Sequence, residues 1–494
     1  MLGRVPPSES GASPRSLSAL SGGVMGDTIV ALSTASGAGA IGIVRLSGVH
    51  AVRVAQQVFR PARPPDLANG HTHVMRYGHV VDPSNGHTVD EALAVVMRAP
   101  ATYTREDVVE IHCHGGPAAQ RAVLRVMVAL GARPAEPGEF TKRAFLHGRI
   151  DLTQAESVAG IVQARSASAL RASVRQLDGG LADRVRGLRT DLVTILAGME
   201  VAIDFSEEDV DEVDMEAAEC GLADIESRLG ELLSTALLGR ALEEGVRTAI
   251  VGRPNVGKSS LLNALVMRER AIVSEFPGTT RDTVEEFVEI AGIPLCLVDT
   301  AGLRPSDDHL ERLGIERSKQ ALEQADLVLI VLDLTEGVTP EDKELLGAVS
   351  PARTIVVGNK LDLVMAQDEA AAGCGTTGSR IVAEHLAGAW TVCEVSARTG
   401  FGIDELRRAI ETIVVGDNGL QLDEPLLATE RQRSLVEQSM RAAKAARTGI
   451  GQTVPVELVC DDLRRSIDAL GSITGEELVP DLVEEIFRRF CIGK

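Results

Sequence analysis

The stretch GRPNVGKSS at residues 252–260 constrains this chain more than any other feature. It has the form G-x4-G-K-[ST], follows the strand-like run VRTAIVG and opens a helical run. In that context the backbone N–H groups of the loop can surround phosphate groups at a helix N-terminus. Lys258 is then expected to reach the β- and γ-phosphates, and Ser259 to ligate Mg²⁺. The stretch predicts a nucleotide-binding loop inside an α/β domain.

Three later motifs follow strand-like runs and identify the nucleotide. DTAG (299–302) follows PLCLV, NKLD (359–362) follows RTIVVG, and SAR (396–398) follows WTVCEV. The first motif places Asp299 to hold Mg²⁺ through water. The carboxylate of Asp362 can accept hydrogen bonds from guanine N1–H and N2–H₂. Adenine has an acceptor at the first of these positions and no polar group at the second. A site built in this way rejects the wrong base by roughly 10⁴-fold. Together the motifs predict a GTPase.

The predicted hydrolytic machinery departs from the Ras pattern, which has a water-positioning glutamine after D-x-x-G. Here that place is Leu303, which cannot orient water. Asn255 can supply an oxygen to a monovalent cation that replaces an arginine finger. Glu311 in HLERLG can position the attacking water. The residues alone favour the other interpretation, in which Glu311 is a solvated carboxylate on a helix. The first switch is predicted at SEFPGTTRD, residues 274–282, with Thr280 as a second Mg²⁺ ligand.

The predicted contacts fall into a set for the monovalent cation and a larger set for GTP. The oxygens for the cation are expected from Asn255, Ser274, Phe276 and Thr279. The GTP contacts are expected from Asn255, Val256, Gly257, Lys258, Ser259, Ser260, Ser274, Glu275, Phe276, Pro277, Gly278, Thr279, Thr280, Asp299, Thr300, Ala301, Gly302, Asn359, Lys360, Asp362, Ser396, Ala397 and Arg398.

Changes of pattern along the chain predict a multidomain protein of α/β and α type. The segments are a disordered extension (1–25), an N-terminal α+β domain (26–145), a first helical part (146–243), a doubly wound α/β GTPase domain (244–415) and a second helical part (416–494). Two helical parts around an α/β unit indicate one discontinuous helical domain with the GTPase domain inserted.

Two helical details follow from spacing. Apolar residues recur every three or four positions from Leu170 to Met199, which predicts a bundle core with a kink at Asp178-Gly179-Gly180. In TGEELVPDLVEEIFRRF, Thr474 and Glu477 have the spacing of a capping box and predict a helix start.

Composition limits the surroundings of the protein. The net charge of −21 argues against nucleic-acid binding over the whole surface, because phosphate contacts need Lys and Arg. Seven scattered cysteines without a C-x-x-C pair fit a reducing cytosol, so a cytoplasmic location is expected. No run approaches the ~20 apolar residues of a membrane span.

Two cysteine and histidine features remain open from the residues alone. Cys491 in the terminal RRFCIGK has the spacing of a prenylation site, but Lys494 is a poor final residue and no polybasic stretch precedes it. An incidental thiol or a reactive group are the other readings. His112 and His114 share one face of a predicted strand, where strand packing or pocket lining is favoured over zinc because further ligands cannot be assigned.

The motifs together resemble one family. GRPNVGKSS, PGTTRD, DTAGLR and NKLD occur with a split helical domain, an N-terminal PGEFTKRAFLHGRIDLTQAE and a terminal FCIGK. This combination is similar to the MnmE (TrmE) family of tRNA modification GTPases, within the TrmE-Era-EngA-like P-loop GTPases, from about residue 27 to residue 494. The two terminal stretches are specific to that family, whereas many GTPases share the others.

The resemblance implies a K⁺-stimulated homodimer that dimerises through its N-terminal domain. With the flavoprotein MnmG (GidA), in a heterotetramer or larger complex, such a protein adds a carboxymethylaminomethyl group to C5 of the wobble uridine (U34) in certain tRNAs. A regulatory GTPase switch of the ribosome-assembly type, without modification chemistry, is the alternative.

The resemblance also implies a folate site. The one-carbon unit comes from 5-formyl- or 5,10-methylene-tetrahydrofolate, bound by Arg45, Glu110, Arg149 and Lys494. Arg149 stands where the family pattern has lysine, which keeps the charge and changes the geometry. Cys491 is implied near the one-carbon group as a thiolate, acid or base.

Overall fold

The computed structural model describes most of the chain: residues 26–35, 37–204, 215–267, 286–298, 322, 325–370, 390–416, 422, 424–452, 454–477, 480–488 and 490–493. The predicted site residues outside the described residues are Ser274, Glu275, Phe276, Pro277, Gly278, Thr279, Thr280, Asp299, Thr300, Ala301, Gly302, Glu311 and Lys494. Their assignments stay predictions.

The described strands are β1 (Ile29–Leu32), β2 (Ile41–Ser47), β3 (Phe59–Pro61), β4 (Arg76–Val81), β5 (Thr88–Met97), β6 (Val108–His114), β7 (Arg133–Pro134), β8 (Val246–Val251), β9 (Glu286–Ile290), β10 (Ile293–Val298), β11 (Leu327–Asp333), β12 (Thr354–Asn359) and β13 (Thr391–Glu394). The described α-helices are α1 (Ala51–Val58), α2 (Pro117–Ala129), α3 (Glu139–Leu146), α4 (Leu152–Gln163), α5 (Ala167–Leu177), α6 (Gly180–Asp204), α7 (Met215–Ser234), α8 (Ala236–Glu243), α9 (Lys258–Met267), α10 (Pro340–Gly347), α11 (Leu361–Ala370), α12 (Ile403–Val415), α13 (Glu430–Gly451), α14 (Val456–Thr474) and α15 (Pro480–Arg488).

Internal contacts divide the chain into two compact units. The first comprises Met1–Ala159, Ala182–Glu219 and Ala445–Lys494, and the second comprises Gly160–Leu181 and Cys220–Lys444. The domain boundaries that the sequence predicts at residues 145, 243 and 415 stay predictions.

The first unit contains a seven-stranded sheet in the order β3-β4-β5-β6-β2-β1-β7. Its described pairs are antiparallel except β1 with β7. Side chains alternate across this sheet, as they must in a strand. Val44, Leu46 and Ile111 join the core with apolar residues of α1 and α2, whereas Ile41 and Arg45 lie on the other face. The alternation therefore leaves one sheet face for other contacts.

A buried charged cluster fixes helix α3 beside this sheet. The side chain of Arg143 is 1% exposed and pairs with Asp27 at 2.5 Å, Glu106 at 3.1 Å and Glu139 at 3.0 Å. Burial acts to raise the pKa of Asp27 and of Glu139, but the hydrogen bonds from Arg133 and Arg143 outweigh it and lower both pKa values. Both carboxylates are therefore ionised at neutral pH, which keeps the buried guanidinium compensated.

The second unit contains a six-stranded sheet in the order β13-β12-β11-β8-β10-β9. All its described pairs are parallel except β10 with β9. Every residue of β11 and β12 is buried, and apolar clusters cover both faces of the sheet. This is the arrangement expected of a doubly wound sheet, whose binding sites lie at the carboxyl ends of the strands. The α/β prediction for this region is confirmed, while β9 is an antiparallel edge strand that the sequence analysis missed.

The predicted helix start at Thr474 is wrong. Thr474 is the last residue of α14, and its hydroxyl donates to the carbonyl of Gly471 at 3.3 Å. Gly475 follows with φ +83°, in the left-handed conformation that commonly ends a helix. The next helix, α15, begins at Pro480. The capping-box spacing at this place is coincidental, because the threonine already belongs to a preceding helix.

The predicted apolar stripe is only partly a core. The chain breaks into α5 and α6, with Gly179 at φ +97° between them. Leu181, Leu188 and other stripe residues of α6 are buried. Leu170 and Val174 of α5 are instead 43% and 42% exposed, so their assignment to the core is wrong. The break between the helices ends the common periodicity. In the described part of the chain, no helix has the length and apolar character that crossing a membrane requires.

Candidate functional site

The phosphate loop, residues 252–258, connects β8 to α9. Gly252 and Gly257 have φ values of +152° and +97°, and Asn255 has φ +63°. A Cβ at Gly252 would lie 2.4 Å from the carbonyl oxygen of Val331, and one at Gly257 would lie 2.3 Å from Nδ2 of Asn359. The close packing of this loop against neighbouring strands therefore requires both glycines.

The ammonium of Lys258 is held across the phosphate loop. Its Nζ donates to the carbonyl oxygens of Gly252 and Arg253, both at 2.8 Å. Burial lowers the pKa of Lys258. Ser259 and Ser260 lie exposed in the first turn of α9. A positive charge and a helix N-terminus thus act at the same place, which favours the binding of phosphate.

Asn359 joins the phosphate loop to the guanine loops, which are the NKLD (359–362) and SAR (396–398) segments. Its Nδ2 donates to the carbonyl of Val256 at 2.9 Å, and its Oδ1 accepts from the N–H of Ala397 at 3.0 Å. Asn359 is 3% exposed. Asn359, a predicted nucleotide contact, therefore also bonds through its amide to two loops that are distant in sequence.

The carboxylate that is predicted to read guanine is fixed by its neighbour. Ser396, which is fully buried, donates its hydroxyl to Oδ1 of Asp362 at 2.7 Å. The N–H of Leu361 donates to the carbonyl of Val395 at 3.2 Å, which holds the two guanine loops together. Arg398 is exposed. Carboxylate oxygens have two acceptor sites each, so Asp362 can still accept hydrogen bonds from a base.

A further contact at this edge was missed by the sequence analysis. Asp333, the last residue of β11, pairs through Oδ2 with Nζ of Lys360 at 2.5 Å. The signal in the sequence was the acid that ends the apolar run LVLIVL. A single aspartate at a strand end does not reveal its partner, because the lysine lies 27 residues further on.

In the first unit, two of the predicted folate residues are in direct contact. Arg45 and Glu110 are neighbours in register on β2 and β6, and Arg45 Nε donates to Glu110 Oε1 at 2.8 Å. Glu110 Oε2 lies 3.3 Å from Nε2 of His112. The guanidinium of Arg45 lies 5.7 Å from the ring centroid of Phe140. The sheet face that carries Arg45 therefore has a partly buried charged pair beside a buried aromatic ring.

Arg149 lies against Tyr103 rather than on the sheet. Its Nη1 donates to the carbonyl of Tyr103 at 3.2 Å, and its guanidinium lies 4.7 Å above the Tyr103 ring. Burial raises the pKa of Tyr103, although a hydrogen bond with Thr141 and the charges of Arg149 and Arg45 oppose it. Arg149 therefore contacts Tyr103 through both the backbone carbonyl and the ring.

The C-terminal tail contacts the same region. The carbonyl of Gly493 accepts hydrogen bonds from Ser33 Oγ at 3.2 Å and from Arg45 Nη1 at 3.5 Å. The N–H of Gly138 donates to the carbonyl of Cys491 at 3.3 Å, and the Cys491 thiol is free and exposed. The residue before Lys494 is thus bonded to a predicted folate ligand.

A phosphate loop joined to guanine loops at the carboxyl edge of a mainly parallel sheet defines a P-loop GTPase domain. Two family models match this chain: the MnmE helical domain over residues 152–491, and the GTP-binding protein TrmE N-terminus over residues 28–149.

Curated relatives match along nearly the whole chain. The tRNA modification GTPase MnmE of Moorella thermoacetica is 46% identical over 475 residues, covering 95% of this chain and 100% of the relative. Those of Geobacillus thermodenitrificans and Enterococcus faecalis are 45% and 43% identical, covering 95% of this chain and 99% and 98% of the relatives. The chain belongs to the MnmE family of tRNA modification GTPases, and the resemblance stated above is confirmed. It is a GTPase, with GTP and Mg²⁺ as its nucleotide and metal.

Proposed function

We propose that this chain hydrolyses GTP to drive the addition of a carboxymethylaminomethyl group to C5 of the wobble uridine in certain tRNAs, together with the flavoprotein MnmG. The observation that carries the proposal is the presence, in one member of the MnmE family, of a GTPase site and of the Arg45–Glu110 pair contacted by the C-terminal tail. A regulatory switch needs the first of these and has no use for the second.

At the nucleotide, each described residue has a chemical task. Lys258 and the N-terminus of α9 stabilise the negative charge of the phosphates, and Asp362 selects guanine. Ser259 and, as predicted, Thr280 would hold Mg²⁺, which would supply further positive charge beside the phosphates. Water attacks the γ-phosphorus as the bond to the β–γ bridging oxygen breaks, and the products are GDP and inorganic phosphate.

The cation and the attacking water are the less conventional part of this proposal. Asn255 lies exposed at the left-handed position of the phosphate loop, which supports its use as an oxygen ligand for K⁺ beside the phosphates. Ser274, Phe276 and Thr279 would complete that K⁺ site, and Glu311 would position the water.

The chemistry around Arg45 fits a tetrahydrofolate derivative. The pterin ring has an amino-pyrimidinone edge like that of guanine, for which the Glu110 carboxylate is a suitable acceptor. Arg45 and Arg149 offer positive charge to the glutamate carboxylates, and the partly exposed ring of Tyr103 offers aromatic surface. Lys494 follows Gly493 in the tail and Cys491 lies two residues before it, so both would lie close to the bound one-carbon unit.

The open sheet face supports a homodimer formed through the N-terminal domain. Tyr77 and Leu93 are cross-strand neighbours on the face that carries Arg45, and Ile41 is two residues before Ile43 on the same face. Tyr77, Leu93 and Ile41 are 48%, 39% and 60% exposed. Large apolar side chains grouped on one face mark an interaction surface.

The negative charge of the chain supports a division of labour with the flavoprotein. With a net charge of −21, the chain has little surface suited to the phosphates of tRNA. MnmG would supply much of that surface in the heterotetramer or larger complex.

Nucleoside analysis of tRNA from a strain that lacks this gene tests the proposal. The modified wobble uridine is expected to disappear, to return with the wild-type gene and to stay absent with Lys258→Ala. The matched control, Asn263→Ala, changes an exposed residue of α9 and is expected to restore the nucleoside. Unchanged modified uridine in the deletion strain would favour the regulatory switch instead.

A further inference from the structure

The carboxylate of Asp333 is fixed at the carboxyl edge of the GTPase sheet. Asp333 pairs in register with Asn359 of the adjacent strand. Its Oδ1 accepts hydrogen bonds from the N–H of Thr335 at 2.9 Å and from the Thr335 hydroxyl at 2.6 Å. The side chain is 5% exposed. The carboxylate therefore has one orientation, set by the turn that follows β11.

The second oxygen of Asp333 holds the lysine of the NKLD motif. Oδ2 lies 2.5 Å from Nζ of Lys360. Burial acts to raise the pKa of Asp333, but the hydrogen bonds from Lys360 and Thr335 outweigh it and lower the pKa. The pair is therefore ionic at neutral pH, and its hydrogen bond is of the stronger, charge-assisted kind.

The backbone of Lys360 is constrained as well. Its φ of +67° lies in the left-handed region, which residues other than glycine rarely adopt and which often marks a functional site. Asn359 and Asp362 on either side are bonded to other loops. The Lys360 side chain thus leaves a fixed backbone position and ends at a fixed carboxylate.

A lysine held at both ends offers an ordered stem of four methylene groups. Lysine stems commonly cover apolar surface while the ammonium keeps polar contacts. Asp362 is expected to bond to the edge of a guanine. Lys360 lies two residues before Asp362, so we expect its stem to lie against one face of the same base. A free lysine would lose much of its rotamer freedom on making that contact, whereas a tethered one has already lost it.

The segment that begins at Asp333 also contacts the phosphate loop. Asp342, fully buried at the start of α10, accepts a hydrogen bond from Nε of Arg253 at 3.2 Å. One stretch of ten residues therefore bonds to the base-binding side and to the phosphate-binding side of the site.

We propose that Asp333 is a positioning residue for guanine nucleotides, which acts by holding Lys360 in place to cover one face of the base. This role concerns nucleotide affinity and is independent of the tRNA reaction. A failure of the tRNA proposal would leave it untouched.

A double-mutant cycle on nucleotide affinity tests this inference. A fluorescent GDP analogue is titrated against wild type, Asp333→Asn, Lys360→Met and the double variant. Each single variant is expected to bind about tenfold more weakly, the usual order for a charge-assisted hydrogen bond. The double variant is expected to bind within about twofold of Lys360→Met, because the two residues act as one unit. GTP turnover should show a raised KM and an unchanged kcat, because the contact is made in the ground state and the transition state alike.

The matched control lies at the other end of the same strand. Asp326, just before β11, also pairs with a basic residue, with Oδ1 at 3.4 Å from Nη2 of Arg240. Asp326→Asn makes the same chemical change in a more exposed ion pair away from the nucleotide edge, and its GDP affinity should stay within about twofold of wild type.

Two results would overturn the inference. Losses that multiply in the double variant would mean that Asp333 acts on the site by some route other than Lys360. Wild-type affinity in Lys360→Met would mean that the tether is irrelevant to binding. The second result decides the matter even if Asp333→Asn fails to fold, since Lys360 is partly exposed and methionine preserves most of its stem.

Discussion

The amide of Asn359 makes two hydrogen bonds that join the phosphate loop to the guanine loops, and replacing Asn359 with alanine removes both. The change leaves the carbonyl of Val256 without its donor at 2.9 Å and the N–H of Ala397 without its acceptor at 3.0 Å. Val256 is 2% exposed, so water does not readily replace the lost donor. The phosphate loop then loses one of the contacts that hold it against its neighbours.

The size of the effect follows from these two bonds. A hydrogen bond contributes roughly 0.5–1.5 kcal/mol net, and a buried group left unpaired costs about 1–3 kcal/mol. For two bonds with one well-buried partner, the loss is about 2–4 kcal/mol. If bound nucleotide must restore the order of both loops, that cost appears in the binding free energy. At 1.4 kcal/mol for each factor of ten, GDP affinity should fall roughly 30- to 700-fold.

Titration of a fluorescent GDP analogue measures this loss, with Asn263→Ala as the control. Asn263 is an exposed residue of the helix that follows the phosphate loop, so its replacement should leave affinity unchanged. Affinity of Asn359→Ala within threefold of wild type would refute the reasoning, because it would mean that the bridge adds nothing to the order of the site.

Further predictions concern the cation, the charged cluster and the tail. GTP hydrolysis should be faster in K⁺ than in Na⁺, and Asn255→Ala should remove the difference; equal wild-type rates in both salts would exclude the cation proposal. Asp27 and Glu139 have lowered pKa values, so the stability they supply is present above pH ~4 and is lost as pH falls through their folded pKa values. The melting temperature of Asp27→Asn should therefore lie below that of wild type near pH 7, the gap should shrink as the pH falls through the lowered pKa of Asp27, and a gap that stays constant in acid would contradict this. Gly493→Ala should weaken folate binding without changing GTP hydrolysis, because its Cβ would lie 2.3 Å from the carbonyl of Leu32 at a backbone φ of +94°; undiminished folate affinity would count against the assigned tail contact.

Sequence patterns predicted the parts of this structure that local physics determines. The runs before Gly252, before NKLD and before SAR are apolar because β8, β12 and β13 belong to a covered sheet, so their assignment as strands is confirmed. The motif residues lie at the ends of those strands for the same reason. The predicted folate contacts Arg45 and Glu110 came from the resemblance, and the structure brings these two residues into contact although 65 residues separate them.

Long-range pairing could not be read from the chain. Asp27 and Arg143 are separated by 116 residues, and nothing near either one indicates its partner. The same holds for Asp333 with Lys360. The capping-box error at Thr474 has a related cause, since the spacing of two residues does not show whether a helix is ending or starting. The assignment of Leu170 and Val174 to the core was wrong because a break at Gly179 separates them from the periodic positions that follow.

The most direct test of the account exchanges the nucleotide that the site accepts. In Asp362→Asn, the amide can still accept from N1–H but donates where guanine also donates, so it suits xanthine, which has a carbonyl at C2. In a reaction with MnmG, tRNA and the folate, the variant should form modified wobble uridine with XTP and fail with GTP, the reverse of wild type. Modified uridine formed by the variant with GTP, as by wild type, would contradict the claim that guanine recognition at Asp362 drives the tRNA chemistry.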